Sequence, residues 1–213
     1  MSNYLLVIDT ETSSLPKRWD KPYSLSGNWP FAVQISWYVY TREGEVVKRE
    51  DHYINNNDFE ISEASFAIHK LDKQFLSDKG EERKNVLTLL SSDLNLYKPL
   101  VIGHCIELDF HVLGAEYYRS DMENPLTSLS TFCTMIASEK LSYNPARKYL
   151  RLGDLYETLF NKPLLNQHNA IVDAGATGEC FFEMRRRKLI DDRMIAEQPQ
   201  PYAPVGRKLF YFF

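Results

Sequence analysis

Cysteine is scarce in this chain of 213 residues, and what the sequence lacks already excludes several classes of protein. The three cysteines, Cys105, Cys133 and Cys180, are odd in number and form no Cys-x-x-Cys pair, so neither a disulfide framework nor a zinc site built on paired cysteines is indicated. No apolar run reaches the length of a membrane-spanning helix, and the N-terminus lacks the basic-then-apolar pattern of a signal peptide. We therefore expect a cytoplasmic protein with no membrane partner.

Repeats and low-complexity tracts are also missing, and the composition is that of an ordinary globular protein, with 44% hydrophobic and 25% charged residues. The length suits one large domain. We predict a domain over residues 1–190, followed by a tail over residues 191–213 that contains three prolines and ends in Leu-Phe-Tyr-Phe-Phe. This tail either packs on the domain or docks a partner.

The clearest strand signal is the apolar run Leu5-Leu6-Val7-Ile8, which predicts a central strand buried on both faces. Asp9 and Glu11 follow directly. Residues two apart in a strand point to the same face, so both carboxylates should project together at the carboxyl end of the strand, where open α/β sheets place their ligands. Two anions so close repel each other, and a cation between them would allow both to stay ionised.

The rest of the pattern predicts an α/β fold in which a mixed five-stranded sheet, an antiparallel hairpin plus parallel strands, is flanked by helices. The other predicted strands are Phe31 to Tyr40, Val46 to Ile54, Leu100 to His104 and Phe132 to Met135. The predicted helices are Glu63 to Lys70, Glu81 to Tyr97, Glu107 to Tyr118, Leu152 to Phe160 and His168 to Leu189. Residues 15–30 form a long predicted loop rich in proline and tryptophan.

Further acidic candidates follow in the chain. Asp109 comes about one helical turn after a buried strand, and Asp173 lies in the segment His-Asn-Ala-Ile-Val-Asp-Ala that begins at His168. Five helical positions separate two side chains by about 140° around the axis, so His168 and Asp173 cannot share one helix face. They meet only if His168 lies in the loop ahead of the helix and folds back over the site. The small residues that follow Asp173 would let this helix approach the sheet closely.

Asp9, Glu11, Asp109, His168 and Asp173, in this order and context, resemble the motifs of the DEDDh (DnaQ-like) 3′→5′ exonucleases. The chain has Asp-x-Glu-Thr as the first motif, a lone aspartate as the second and His-x4-Asp as the third. The resemblance implies an RNase H-like sheet, two Mg²⁺ or Mn²⁺ ions, and removal of nucleotides from a 3′ end as 5′-monophosphates. The net charge of −4 does not oppose a nucleic-acid substrate, because four metal-binding carboxylates would account for all of it.

The resemblance also implies a role for each residue. Asp9 would bridge both ions, Glu11 and Asp173 would complete the first ion, and Asp109 would support the second. His168 would act as general base for the attacking water, as an imidazole is suited to do near neutral pH. The chemistry of the residues agrees, since hard oxygen ligands suit Mg²⁺ or Mn²⁺.

For the substrate, the resemblance implies contacts with the 3′-terminal nucleotide just after the first motif. Thr10 and Thr12 would contact it through main chain and hydroxyl, and Leu15 would wedge at the base. The expected substrate is a single-stranded or frayed 3′ end, and the sequence leaves DNA and RNA both open.

Several alternatives remain open on sequence alone. The chain is a stand-alone nuclease, a proofreading subunit whose tail docks a polymerase or clamp, or a non-catalytic nucleic-acid-binding module of the same fold. Trp19 and Trp29 either stack on bases or anchor the long loop. The basic run from Arg185 to Lys188 is either a solvated helix end or a patch that follows phosphates.

Overall fold

A mixed five-stranded sheet forms the centre of the protein, which is described here from a computed structural model over residues 2–55, 58–142 and 147–200. The strands are β1 (Tyr4–Thr12), β2 (Ala32–Thr41), β3 (Val46–Tyr53), β4 (Leu100–Gly103) and β5 (Thr131–Cys133). Their order in the sheet is β3-β2-β1-β4-β5. β2 is antiparallel to both β1 and β3, whereas β4 is parallel to β1 and to β5. The predicted hairpin and the predicted mixed sheet are both confirmed.

Helices cover both faces of this sheet. They are α1 (Glu63–His69), α2 (Lys73–Lys79), α3 (Arg83–Tyr97), α4 (Ile106–Arg119), α5 (Thr134–Ala137), α6 (Leu152–Phe160), α7 (Ala170–Arg186) and α8 (Asp192–Glu197). Leu6 and Ile8 of β1 pack into a core with α3 and α4, while Leu5 and Val7 pack into a second core with α6 and α7. β1 is therefore buried on both faces, as its uninterrupted apolar run predicts.

The predicted elements differ from the structure mainly at their ends. The predicted last long helix begins at Ala170 instead of His168, and the predicted strand Phe132 to Met135 is divided between β5 and the start of α5. The helices α2 and α8, which are seven and six residues long, are absent from the predicted elements. Such short helices offer too few residues for a clear apolar periodicity.

The loop between β1 and β2 is held down by aromatic side chains. Trp29 is buried, stacks on His111 of α4 with ring centroids 5.0 Å apart, and donates from its indole N–H to the carbonyl of Lys21. The Tyr23 hydroxyl lies 2.9 Å from Nδ1 of His111, and Trp19 packs edge-on against Trp29. Of the two alternatives for the tryptophans, the contacts of Trp29 favour loop anchoring, because its ring and its donor are both used inside the fold.

A buried ion-pair network lies at the start of β2. The Glu116 carboxylate is fully buried, accepts from the main-chain N–H of Ala32 at 3.0 Å, and pairs with Arg83 and Arg119. The two guanidinium groups also lie over the ring of Phe31, at 5.2 and 3.8 Å from its centroid. Since Ala32 pairs with Thr12 at the end of β1, this network fixes the start of β2 beside the carboxyl end of β1.

The first residues of the predicted tail contact the rest of the fold. Ile195 of α8 is buried against the α7 core, and the side chains of Gln198 and Gln200 exchange hydrogen bonds with the main chain of Cys133 and Thr131 on the free edge of β5. Residues 191–200 therefore pack on the domain. The remainder, 201–213, lies outside the described residues, so the predicted docking of a partner by this segment stays a prediction.

None of the helices in the described residues combines the length and the apolar character needed to cross a membrane.

We expect Glu116→Ala to destabilise the fold by about 3 kcal/mol, because it leaves two partly buried guanidinium groups without their shared carboxylate. The measurement is the free energy of unfolding from urea denaturation. Glu60→Ala is the matched control, since Glu60 forms an exposed ion pair with Lys73 and should change stability by less than about 1 kcal/mol. Equal effects of the two substitutions on the free energy of unfolding would show that the buried network does not stabilise the start of β2.

Candidate metal and active site

Two carboxylates project from the carboxyl end of β1, on the face that packs against α7. Asp9 lies opposite Ser36 of β2, and Glu11 lies opposite Gln34, so the two acids share one face two residues apart. Both side chains are partly buried. This placement is the one expected from strand alternation, because β1 stays regular until a register shift between Glu11 and Thr12.

Asp109 reaches the same end of the sheet from the first turn of α4. Its side chain is buried, and its Oδ1 accepts a hydrogen bond of 2.8 Å from the hydroxyl of Thr10. Gly103 at the end of β4 makes this approach possible, since a Cβ at that position would lie 3.2 Å from Asp109 Oδ2 and 2.9 Å from Ile106. The buried hydroxyl bond therefore ties the second acidic motif to the first.

His168 lies in the loop ahead of α7, where the spacing argument places it. Its backbone adopts a left-handed conformation with φ of 64°, its side chain is exposed, and Asn169 is the N-cap of the helix. The main-chain N–H of His168 donates to Oδ2 of Asp173 at 2.8 Å. Asp173, in the first turn of α7, thus holds the loop that carries the imidazole. His168 therefore lies ahead of the helix, as its meeting with Asp173 requires.

Small residues bring α7 close to the sheet, as predicted. Ala170, Ala174, Ala176 and Gly178 are buried, and a Cβ at Gly178 would lie 3.0 Å from the hydroxyl of Tyr40 on β2. A larger side chain there would push the helix, and Asp173 with it, away from β1.

Three of the predicted site residues form a compact group. One potential ligand atom from each of Glu11, His168 and Asp173 lies within 4.8 Å of the other two. Asp9 and Asp109 are not part of this group, yet Asp9 experiences the charges of Asp109, Asp173 and Glu11. The structure therefore gathers all five predicted residues at the carboxyl end of β1, with Glu11, His168 and Asp173 in the tightest arrangement.

The surroundings of the four carboxyl groups at the end of β1 oppose their ionisation. Burial raises the pKa of Asp9 well above its ordinary value, and the charges of Asp109, Asp173 and Glu11 raise it further. Burial, followed by the charges of Asp173 and Asp109, also raises the pKa of Glu11. The pKa values of Asp109 and Asp173 are raised by burial as well, although hydrogen bonds from Thr10 and from the His168 N–H oppose the change. When ionised, the four carboxylates together carry more negative charge than the neighbouring groups neutralise.

The residues fit a divalent cation. Oδ1 of Asp173 is buried and has no hydrogen-bond partner in the described part of the chain, so one carboxylate oxygen beside Glu11 and His168 is unsatisfied. A buried carboxylate oxygen without a partner is costly unless a cation or donor meets it. The donor set is dominated by hard carboxylate oxygens, which suit Mg²⁺ or Mn²⁺ better than metals that favour thiolate. A carboxylate and imidazole cluster of this kind is a candidate metal site.

The residues predicted to meet a substrate have other contacts. The hydroxyl of Thr10 is used by Asp109, and the hydroxyl of Thr12 donates to the carbonyl of Ser14 at 2.8 Å. The O–H donors of both hydroxyls are thus paired inside the chain, while each hydroxyl oxygen can still accept a hydrogen bond. The predicted substrate contacts through these hydroxyls stay predictions. Leu15, by contrast, is 53% exposed just beyond β1. Its role, and main-chain contacts by Thr10 and Thr12, stay predictions.

The other histidines are used within the fold. His104 directs its two ring nitrogens to the hydroxyl of Thr134 and the carbonyl of Leu150, at 3.0 and 3.1 Å. His52 lies between Glu50 and Glu81, while Nδ1 of His69 accepts from a main-chain N–H. These contacts give His52, His69 and His104 structural roles.

The basic run at the end of α7 lies at the opposite end of that helix from His168 and is largely ion-paired. Arg186 and Arg187 both bind Glu183, and Arg185 binds Asp192. This pairing favours the interpretation as a solvated helix end over a patch that follows phosphates.

Gln34 is a residue beside the site that the sequence pattern did not reveal. This glutamine is fully buried in β2, beside Glu11, and its side chain contacts the start of α7. The available signal was the one carboxamide in a strand that is otherwise apolar and aromatic apart from Ser36 and Thr41, since a buried polar group requires partners.

The strand order and the flanking helices define an RNase H-like α/β fold, and solved exonuclease structures share it. The zinc-bound complex of Escherichia coli exonuclease I with single-stranded DNA aligns with a TM-score of 0.73 and 17% identity, over 88% of this chain and 41% of that one. Another exonuclease I structure gives a TM-score of 0.71 and 18% identity over 91% and 42%. The product-bound form of exonuclease I gives 0.70 and 16% over 92% and 46%.

This chain therefore spans less than half the length of these neighbours, and identities this low show a shared fold. No protein-family model matches the chain, and no curated protein sequence matches it.

We expect Mn²⁺ to stabilise the protein and Asp173→Asn to remove most of that effect. Binding at about 100 times the dissociation constant adds about 2.7 kcal/mol, or roughly 8 °C in Tm for a domain of this size. Without metal, the variant should be at least as stable as the wild type, because it loses one repelling charge and keeps an acceptor for the His168 N–H. The measurement is thermal unfolding with and without Mn²⁺. Glu123→Gln, an exposed acid, is the control. An unchanged Mn²⁺ shift in Asp173→Asn would remove Asp173 from the metal site.

We expect the His104 side chain to destabilise the fold as the pH falls below about 6.5. Burial lowers the pKa of His104 to about 4. The folded protein thus binds its proton less readily than the unfolded chain, and stability is lost between these two values by at most about 1.4 kcal/mol for each pH unit. The difference in unfolding free energy between wild type and His104→Gln should shrink from pH 7 to pH 5. The site carboxylates have the opposite pH dependence, but they contribute equally to both proteins, so their contribution cancels in this difference. A constant difference, with an NMR titration of His104 near pH 6.5, would contradict the prediction.

Proposed function

We propose that this protein is a metal-dependent 3′→5′ exonuclease that hydrolyses phosphodiester bonds at single-stranded or frayed nucleic-acid ends and releases nucleoside 5′-monophosphates. The observation that carries the proposal is the group formed by Glu11, His168 and Asp173, with Asp9 and Asp109 beside it, at the carboxyl end of β1. The fold is shared with exonuclease I in its complexes with single-stranded DNA and oligonucleotides, which supports the same class of substrate.

In this proposal, two Mg²⁺ or Mn²⁺ ions are held by Asp9, Glu11, Asp109 and Asp173. When bound, such ions stabilise the negative charge on the attacking and leaving oxygens of a phosphodiester. The unsatisfied Oδ1 of Asp173 and the raised pKa of each of the four carboxylates support this assignment, because a bound cation favours their ionised forms.

His168 is the proposed general base. Its exposed imidazole can reach solvent, whereas the neighbouring Asp173 is buried, so the proton of an attacking water has an acceptor with access to bulk solvent. The hydrogen bond from the main chain of His168 to Asp173 places this loop without using the imidazole. Both ring nitrogens are thereby left for proton transfer and for contact with the site.

Thr10, Thr12 and Leu15 are the proposed substrate contacts. Because the O–H donors of Thr10 and Thr12 are paired, these residues would meet the terminal nucleotide through main-chain groups or as hydroxyl acceptors, and exposed Leu15 would pack against its base. DNA and RNA remain equal candidates, since discrimination depends on a contact to the 2′-hydroxyl.

We expect Asp9→Ala to abolish nuclease activity and His168→Ala to lower kcat by about 100-fold or more, the usual weight of a general base. The substrates are single-stranded DNA, duplex DNA, single-stranded RNA and dinucleotides, each labelled at the 5′ end, with Mg²⁺, Mn²⁺ or EDTA. Successive shortening from the 3′ end with 5′-monophosphate as product is the expected outcome for the wild type. Thermal unfolding with Mn²⁺ on the same samples should show that His168→Ala still binds metal.

Three outcomes would contradict this function or its mechanism. Binding of single strands without cleavage in any metal would favour the non-catalytic alternative. Asp9→Ala retaining activity within a few-fold would exclude the two-metal mechanism, provided the variant is folded. Loss of Mn²⁺ stabilisation in His168→Ala would reassign His168 to the metal shell.

A further inference from the structure

A row of polar side chains crosses three strands beside the candidate site. In the register of the sheet, Glu11 of β1 lies opposite Gln34 of β2, and Gln34 lies opposite Tyr53 of β3. The adjacent row contains Asp9, Ser36 and Asp51 in the same way. Residues paired across antiparallel strands share a face, so this polar surface extends from the acids to the edge strand beneath the start of α7.

Gln34 is the centre of this surface. Its side chain is fully buried, and its Nε2 donates to Oδ1 of Asp51 at 2.7 Å and lies 3.4 Å from Oδ1 of Asn169. Its Oε1 accepts from the main-chain N–H of Ala170, the first residue of α7, at 3.1 Å. Asp51 also accepts from the Ser36 hydroxyl at 2.7 Å. The carboxamide of Gln34 is therefore fixed at both ends.

This bond replaces the usual cap of α7. The first N–H groups of a helix have no partner within the helix, and a capping side chain normally accepts from one of them. Asn169 occupies the N-cap position but makes no side-chain capping bond. The acceptor comes instead from Gln34 on the sheet, so the first turn of α7 is bound to the strand next to Glu11.

We infer that Gln34 is a positioning residue for the active site, an inference that rests on the proposed function. His168 and Asp173 lie at most three residues from Ala170 and are joined by the bond from the His168 N–H to Asp173. By holding Ala170, Gln34 sets the distance of both residues from Glu11. Gln34 itself contacts no reacting group. Its effect is on kcat, through the placement of the imidazole and the carboxylate relative to the acids of β1.

The test is Gln34→Met, which keeps the length of the side chain and removes its hydrogen bonds. Ser36→Ala is the matched control, because Ser36 is also buried in β2 and also bonds to Asp51, whereas Gln34 alone of the two accepts from the main chain of α7. We expect Gln34→Met to lower kcat by about 10- to 100-fold with KM for a single-stranded oligonucleotide changed less than threefold. Ser36→Ala should stay within threefold of the wild type. Amide hydrogen exchange should be faster at Ala170 in Gln34→Met alone.

The possible outcomes of these measurements lead to different conclusions. If Gln34→Met exchanges faster at Ala170 but keeps the kcat of the wild type, the positioning role is wrong. The same conclusion follows if Ser36→Ala loses as much activity, because the defect is then a general one of β2. If Ala170 exchange is unchanged, Gln34 does not anchor the helix. If the wild type cleaves no substrate in any metal, the proposed function is wrong. Amide hydrogen exchange at Ala170 in Gln34→Met would then still show whether Gln34 anchors α7.

Discussion

Repulsion among four carboxylates at the end of β1 is the constraint around which this structure is arranged. Burial and mutual charge raise the pKa of Asp9, Glu11, Asp109 and Asp173, so bringing them together costs free energy in the absence of a cation. Two features of the fold offset part of this cost. Asp109 and Asp173 lie in the first turns of α4 and α7, where the helix dipole favours negative charge. Each also accepts one hydrogen bond from a neighbouring motif.

The parts of this arrangement that could be predicted from sequence are those set by local geometry. Four apolar residues in succession require burial on both sides, which makes β1 central, and strand alternation then places Asp9 and Glu11 on one face. Helix geometry excludes His168 and Asp173 from a shared helical face, which moves His168 into the loop. Each conclusion needs only the spacing of residues within about ten positions, where backbone geometry alone decides.

The parts that sequence could not supply depend on contacts between distant segments. Thr10 meets Asp109 across 99 positions, and Gln34 meets Ala170 across 136. Nothing near Thr10 in the sequence indicates that its hydroxyl turns toward Asp109 of α4. Likewise, the stacking of Trp29 on His111 decides between base stacking and loop anchoring only once the loop is folded. Such pairings are fixed by the packing of whole elements, which local propensity does not encode.

Burial divides the site into two kinds of residue, and this division follows from the chemistry it would support. Carboxylates that bind cations gain from a dry environment, where the attraction to a bound ion is strong. A general base needs solvent, so that the proton it accepts can leave. Under the proposed function, the chain would meet both needs within six residues, because the left-handed turn at His168 puts the imidazole outside while Asp173 is buried. These proposed roles require a rigid start of α7, since a small movement of this turn would shift both His168 and Asp173 relative to Asp9 and Glu11. The buried Gln34 amide binds the first residue of α7 from the sheet, at a position remote in sequence from the two residues that we infer it positions.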